Sequence, residues 1–398
     1  MPHGTESHDS EPCPRTLGAG ILDPGAAQWL SSPPVLASLL PQEWFEDLST
    51  WLLLLIASGA IGCVIRGADW LVEALASIAS HLGVAKIIIG ATIMSLGTTA
   101  PEVSVSVLAA WSGKPGLALG NGIGSIIADT GLIFGLCCLL TTLPTDRFVL
   151  SRQGWLQFGS AMMLAVACYG LHWAYGPNAS LGLGIGLGFL LLLIGYLYLS
   201  VRWSRMHHQA EPHLAVKSEI HLKVETPRSL GYLILMGLIG LTMVIVAGDA
   251  LVGSASQIAL SWGIPENVIA ATLIALGTSL PELVVGVTAI RKGHPELLVG
   301  NVIGADILNV LFVIGASAVG AAAAGQSLNI VETLPDGSFS YMLLTVQLPT
   351  MLLMLGLFRI YIARSVHSGH FSRWMGGPML ALYALYLISQ YGLATRSA

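Results

Sequence analysis

The sequence predicts an all-α integral membrane protein of about ten transmembrane helices, built as two inverted five-helix repeats. Three observations predict it. Charged residues make up only 10% of 398 positions while 54% are hydrophobic. Apolar runs of membrane-spanning length recur along the chain, and the second half repeats the first at a fixed offset.

Soluble domains carry roughly 25% charged residues, because charge is what holds a surface in water. A chain this poor in charge needs lipid as its solvent, and runs of about 20 apolar residues suffice to cross a hydrocarbon core about 30 Å thick. The formal net charge of −5 gives no footing for a nucleic-acid partner. Of the cysteines, Cys63, Cys137, Cys138 and Cys168 lie in apolar runs without disulfide or metal-ligand spacing, so they read as packing residues, and no cofactor is implied. Residues 1–45 are rich in His, Glu, Asp, Ser and Pro and have no basic segment ahead of an apolar core. They are expected to be neither a signal nor a transit peptide but a disordered extension, ending in a short surface helix near Val35–Leu48.

Hydropathy places spans near 49–78, 84–111, 116–140, 154–175, 180–201, 229–258, 265–290, 296–320, 340–362 and 374–393. The polar stretch Arg202–Arg228 divides them, giving a first membrane repeat at 46–202, a linker at 203–228 and a second repeat at 229–398. Lys and Arg concentrate in cytoplasmic loops. With the central linker inside, Lys86, Arg147, Arg152, Arg291, Lys292, Arg359, Arg364 and Arg373 all fall inside as well. Lys114, Arg15 and Arg396 fall outside, and Arg66 lies within a span. This orientation makes both termini extracytoplasmic in a multi-pass plasma or inner membrane protein.

Laid on itself with a shift of 180 residues, the chain aligns Asp69 with Asp249, Gly97-Thr98 with Gly277-Thr278, and Pro101-Glu102 with Pro281-Glu282. Gly120-Asn121 meets Gly300-Asn301, and Gly124 meets Gly304. Roughly 26 of 69 positions from residue 67 onward are identical without a gap. The identities include Asp, Glu, Pro and Asn, which lipid disfavours, so shared oiliness does not explain them. Five spans separate the copies, an odd number, so the second runs upside down. Inverted repeats place a binding site near the midplane, where the copies meet, and suit a carrier rather than a channel or an enzyme.

Within each repeat the polar residues gather in two places. The first is Gly97-Thr98-Thr99-Ala100-Pro101-Glu102, mirrored by Gly277-Thr278-Ser279-Leu280-Pro281-Glu282. A proline inside a helix removes a backbone donor and disturbs the carbonyl four residues back, here Gly97 and Gly277. Freed carbonyls at membrane depth persist only where protein, water or an ion satisfies them. Hydroxyls and one carboxylate per copy stand beside them, an oxygen-rich, anionic set suited to a hard cation such as Ca²⁺. The second cluster contains Gly120, Asn121, Gly124, Ser125 and Asp129, mirrored by Gly300, Asn301, Gly304, Ala305 and Asn309. Its glycines recur every four residues and permit close helix contact. Other candidates read as structural. Asp69, one turn from Arg66, and Asp249 suggest ion pairs or helix-end contacts. The glycine-rich stretch Leu181–Gly188 suggests close helix packing rather than a nucleotide loop. The histidines, His294 among them, fall in loops, termini or helix ends and read as solvated.

At these motifs the chain resembles the cation/calcium antiporter superfamily, the sodium/calcium exchangers and their prokaryotic relatives. GTTAPE with GNGIGSIIAD, and GTSLPE with GNVIGADILN, stand where that family has GTSxPE-like and GNxxGSN-like motifs. The resemblance implies ten helices, with spans two, three, seven and eight forming the ion-binding core and spans one and six sliding past it. It implies that Glu102 and Glu282 are shared Ca²⁺/Na⁺ carboxylates. Thr98, Thr99, Thr278, Ser279, Ser125 and the backbone carbonyls of Ser95 and Ala275 become further ligands, with Asp129 and Asn309 as the central pair. Three positions depart from the pattern. Ala305 lacks the usual serine hydroxyl, while Ile126 and Asp306 replace asparagines. Asp306 either adds a carboxylate to the site or caps local backbone. The implied activity is Ca²⁺/Na⁺ antiport by alternating access, with inorganic cations and the bilayer as partners. The alternatives are exchange of H⁺ for Ca²⁺ or another divalent cation, and a non-transporting cation-sensing relative.

Overall fold

The computed structural model describes residues 40, 43–210, 229–262, 275–333 and 339–394. The helices are α1 Thr50–Leu82, α2 Lys86–Thr98, α3 Ala100–Trp111, α4 Pro115–Leu140, α5 Arg147–Tyr175 and α6 Leu183–Ala210. After the linker come α7 Leu230–Ser261, α8 Ala275–Thr278, α9 Leu280–Arg291, α10 Pro295–Ala323, α11 Leu343–Ser368 and α12 Gly376–Ala394. Among the described residues seven helices are long and apolar enough to cross a membrane, and the pair α2 and α3, bent by 44°, makes an eighth. Two of the expected ten are not counted: the seventh hydropathy span falls partly on residues 263–274, outside the described residues, and the tenth, α12, is not among the helices that pass on length and apolarity.

The bundle is apolar on the outside: Val166, Leu191, Ile194, Leu353, Ile360 and Ile388 are all well exposed. In water such a surface would aggregate; in lipid it is the solvated one. The inside carries the polarity. α10 is almost wholly buried, and its inward residues include Asn301, Asp306 and Asn309.

Glycine brings α2 against α10. A Cβ on Gly300 would collide with the Ile87 carbonyl oxygen and lie 2.9 Å from the Ala91 nitrogen, and one on Gly304 would lie 2.6 Å from Ser95 Oγ. Backbone contact at this spacing sets a repeat-one helix directly on a repeat-two helix. In the stretch Leu181–Gly188 the expectation of close packing holds only for Gly186, whose Cβ would stand 2.8 Å from the Gly315 carbonyl. Gly182, Gly184 and Gly188 face open space. α1 and α7 cross closely where a Cβ on Gly240 would meet the Gly67 carbonyl oxygen at 2.6 Å.

Two-residue strand pairings tie loops together. Leu143–Pro144 pairs with His370–Phe371, and Ser180–Leu181 with Leu328–Asn329. Each pairing joins loops that the charge pattern assigns to one side of the membrane. At the N-terminus the structure corrects the boundary: a one-turn helix, Glu43–Glu46, lies ahead of α1, and its Phe45 is buried rather than on the surface. Residues 1–39 lie outside the described residues.

Candidate functional site

The helix breaks fall where the prolines predict. Thr99 and Ser279, repeat counterparts, interrupt their helices with φ/ψ of −80°/−1° and −90°/7°. Proline follows two residues later, in the first turn of α3 and of α9, where its missing N–H costs nothing. Glu102 and Glu282 therefore stand not in mid-helix but in the first turn of a new helix. There the N-terminal end of the helix dipole favours negative charge. The Ser95 carbonyl accepts the Thr99 N–H at 2.9 Å. Ala275 lies in the single turn of α8, and its preceding residues are outside the described set.

A second paired irregularity could not be read from the motifs. α4 and α10 each widen into a π-turn, Asp129–Phe134 and Asn309–Ile314, again at counterpart positions. Such turns concentrate at functional sites because they shift side chains off the regular helical spiral. Here each begins at one member of the expected central pair.

The two repeats meet through crossed hydrogen bonds. The Thr98 hydroxyl donates to Asn301 Oδ1 at 3.3 Å, and its counterpart Thr278 donates to Asn121 Oδ1 at 3.2 Å. Ser279 donates to Ser125 Oγ at 3.4 Å. Thr98 also approaches the Glu282 carboxylate. Glu102 lies near Asp129, Asp129 near Glu282 and Asp306, and Glu282 near Glu102. All four acids are buried. Of the sequence-derived residues, Ser95, Thr98, Thr99, Glu102, Ser125, Asp129, Thr278, Ser279, Glu282, Asp306 and Asn309 are all buried, and these contacts draw the four acids with Thr98, Ser125, Thr278 and Ser279 into one polar centre.

Several of their polar atoms have no hydrogen-bond partner: Thr99 Oγ1, Glu102 Oε2, Asp129 Oδ1, Glu282 Oε2, Asn301 Nδ2, Asp306 Oδ1 and Asn309 Oδ1. Two of these orphans trace to broken symmetry. The serine that pairs with Ser279 is Ser125, and its counterpart is Ala305, so Thr99 has no hydroxyl opposite it. Asn121 Nδ2 donates to Ser106 Oγ at 2.9 Å and to the Glu102 carbonyl at 3.3 Å. Ser106's counterpart is Gly286, so Asn301 Nδ2 lacks that acceptor. Among the described residues no three His, Cys, Asp or Glu side chains are arranged to hold a metal ion by themselves. Any cation bound here would draw hydroxyl, amide and carbonyl oxygens into its shell.

Asp306 is fixed from outside the motifs. Its Oδ2 accepts the Thr130 hydroxyl at 2.5 Å and Gln157 Nε2 at 2.6 Å, leaving Oδ1 bare. It bonds side chains rather than capping backbone. Gln157, Thr130 and Ser106 were absent from the sequence-derived site, and Asn301 stood in its motifs without a ligand role. Gln157 had a signal, as an amide in a membrane span, but nothing in sequence tied it to Asp306.

One structural expectation, the ion pair at Asp69, holds with a different partner, and one is corrected. Asp69 pairs with Lys292 at 3.6 Å, and Lys292 also reaches Glu73 at 3.6 Å, whereas Arg66 stacks over Trp70 at 5.4 Å. His294 is not solvated: half-buried at the head of α10, it faces Lys86 Nζ at 3.0 Å through Nδ1. Burial, then the Lys86 ammonium, push its imidazole down to about 4.

An apolar exterior around a buried, acidic centre shared by two sequence repeats defines a multi-pass integral membrane protein with a polar site in its core. The chain belongs to the sodium/calcium exchanger family: the model of that family, described as sodium/calcium exchanger protein, matches residues 50–202 and again 232–392. The chain is 31% identical to an uncharacterized membrane protein of Methanocaldococcus jannaschii over 81% of its own length and 93% of the relative's. It is 27% identical to the sodium/calcium exchanger MaX1 of Methanosarcina acetivorans, covering 82% and 94%. Among solved structures it matches the sodium-calcium exchanger NCX_Mj with TM-score 0.68 and 26% identity, over 86% of this chain and 99% of that one.

Proposed function

We propose that the chain is a secondary antiporter that exchanges Ca²⁺ for Na⁺ by alternating access. In this reading ten helices form two inverted repeats, with both termini extracytoplasmic. Glu102 and Glu282 are the carboxylates for which Ca²⁺ and Na⁺ compete. Thr98, Thr99, Thr278, Ser279, Ser125, Asp129, Asn309, Asp306 and the carbonyls of Ser95 and Ala275 complete the ligand set.

One observation carries the reading. Bare carboxylate oxygens from both repeats, Glu102 Oε2 and Glu282 Oε2, are buried where the repeats cross, joined by the reciprocal Thr98–Asn301 and Thr278–Asn121 bonds. Carboxylates left unpaired in a dry interior are costly, and a hard cation with about six to eight oxygen ligands offsets that cost. Mutual exclusion follows, because the same oxygens cannot hold both cargoes. The solved relative NCX_Mj, named a sodium-calcium exchanger, supports the choice of ions.

The test is ⁴⁵Ca²⁺ uptake into Na⁺-loaded proteoliposomes. Glu102→Gln and Glu282→Gln are each expected to abolish it, and normal uptake in both variants would end the proposal. A second reading, H⁺/Ca²⁺ antiport with Glu102, Glu282 and Asp129 carrying protons, is favoured by Ala305 and Asp306. The first removes a hydroxyl and the second adds a carboxylate. Uptake driven by a pH gradient with no Na⁺ would select it.

A further inference from the structure

The two ends of the α1–α7 pair are fastened by different devices. At one end Asp69 and Glu73 of α1 meet Lys292, from the turn that joins α9 to α10. The repeat counterpart of Asp69 is Asp249 on α7, and the counterpart of Lys292 is Ser112, which has no charge to offer. At that end the chain ahead of α1 takes over. The Leu40 N–H donates to Asp249 Oδ2 at 2.7 Å. Phe45 packs its ring onto Gly253, where an added Cβ would stand 2.8 Å from Phe45 Cε2. Gln257 Nε2 donates to the Glu46 carbonyl at 3.5 Å.

Asp249, Gly253 and Gln257 recur every four residues, one stripe along α7. Leu40 and the turn Glu43–Glu46 lie along this stripe, with one contact to each turn of α7. Phe45 is 4% exposed and joins Leu53 of α1 and Ile258 of α7 in a cluster of its own, flanked by Leu40, Leu48, Ile56 and Ala250. The cluster bridges both helices of the pair.

We propose that Leu40 and the turn Glu43–Glu46 form a strap that holds the Asp249 end of the α1–α7 pair and acts as a brake on exchange. The inference rests on the alternating-access reading above. In a cycle between two inverted repeats, the environments of the Asp69 and Asp249 ends interchange. The opposite state brings Asp249 towards the turn that carries Ser112 and Lys114, as Asp69 now meets the turn that carries Lys292. The strap already occupies the Asp249 carboxylate and the Gly253 notch, so it must let go on each cycle.

The test uses the full chain in proteoliposomes, with two variants that release the strap from opposite sides. Phe45→Ala removes the anchor, and Gly253→Ala fills its notch while leaving the strap intact; the second carries the test if the first does not fold. Deuterium exchange of the 40–48 amides reads docking directly, whether or not ions move. Both variants are expected to lose protection there and to raise Ca²⁺ turnover at saturation by about tenfold, with half-saturating Ca²⁺ unchanged. Lost protection with turnover unchanged or lowered overturns the brake, as does an unprotected 40–48 segment in the wild type. A wild type that moves no Ca²⁺ refutes the antiport reading and the brake with it. A transporting wild type with unresponsive variants refutes the brake alone.

Discussion

Ala305→Ser tests whether the broken symmetry of the polar centre has been understood. Ser279 and Ser125 sit 3.4 Å apart, oxygen to oxygen, and their counterparts are Thr99 and Ala305. A serine at 305 puts a hydroxyl opposite the unpartnered Thr99 Oγ1. A typical hydrogen bond nets about 1 kcal/mol, and a buried orphan costs about 1–3 kcal/mol. The variant should therefore gain about 1–2 kcal/mol. Unfolding entropy of about 2.1 cal/mol/K per residue, over 398 residues, turns that gain into a rise of about 1–3 °C in melting temperature. Thr99→Val removes the orphan by the opposite route and should stabilise by a similar amount. Combined with Thr99→Val, Ala305→Ser should add nothing, since its partner is gone. The assay is a double-mutant cycle by thermal unfolding in detergent. A serine that stabilises equally in both backgrounds, or in neither, refutes the claim that Ala305 is what orphans Thr99.

Three further outcomes follow from the geometry. Gly300→Ala drives a methyl into the Ile87 carbonyl and should cost about 3 kcal/mol or more, whereas Gly188→Ala, facing open space, should be neutral or stabilise by up to about 1 kcal/mol; expression and melting temperature separate them. His294, held at about 4 in the fold, resists a proton that the unfolded chain takes up near pH 6.5. Its contribution is complete above that pH and is lost as pH falls towards 4, so melting temperature should drop across that window, and less steeply in His294→Gln. Lys292→Met breaks a pair whose side chains are about one-third exposed, so it should cost less than about 1 kcal/mol, and less still in high salt.

How far the sequence reached depended on whether a feature was local. Span edges were legible because hydropathy is local: the first span, placed near 49–78, is Thr50–Leu82, and the eighth, near 296–320, is Pro295–Ala323. The breaks at Thr99 and Ser279 were legible because proline's missing donor acts within one turn. The π-turns at Asp129 and Asn309 left no such mark, since one extra residue in a helical turn needs no special side chain. The crossed bonds were half legible: Thr98, Asn121, Thr278 and Asn301 stood in the motifs, but which faced which is a matter of three-dimensional packing. Gln157 and Lys292 were invisible as partners because 149 residues separate Gln157 from Asp306 and no local rule links Lys292 to Asp69. His294 misled for the same reason, as a loop position says nothing about a lysine brought over from another helix.

The unpartnered atoms favour the proposed binding role for the centre over a purely structural one. A purely structural polar core is selected for completeness, since each buried polar atom left without a partner costs about 1–3 kcal/mol and a charged one more. Here bare oxygens on Glu102, Asp129, Glu282, Asp306 and Asn309 stand together with the Thr99 hydroxyl. Their summed cost is about 10 kcal/mol, comparable with the whole stability of an ordinary fold. Evolution removes such costs easily, with Gln for Glu or Val for Thr. Neither replacement stands at these positions, while nearby one copy carries an apolar residue, Ala305 or Ile126, where the other carries Ser125 or Asp306. The anionic oxygens are also unlike the orphans that symmetry explains. Thr99 Oγ1 and Asn301 Nδ2 lost partners that the other repeat retains, whereas Glu102 and Glu282 are bare in both copies. A deficit that appears twice, at counterpart positions, is a property of the design. It calls for positive charge that no described residue supplies to them, and a mobile cation supplies it only while bound. On the proposed antiport reading the stability of the fold depends on cargo: Ca²⁺ should raise the melting temperature of the wild type and not that of the Glu102→Gln, Glu282→Gln double variant. Equal stabilisation of both by Ca²⁺ would locate the cation elsewhere.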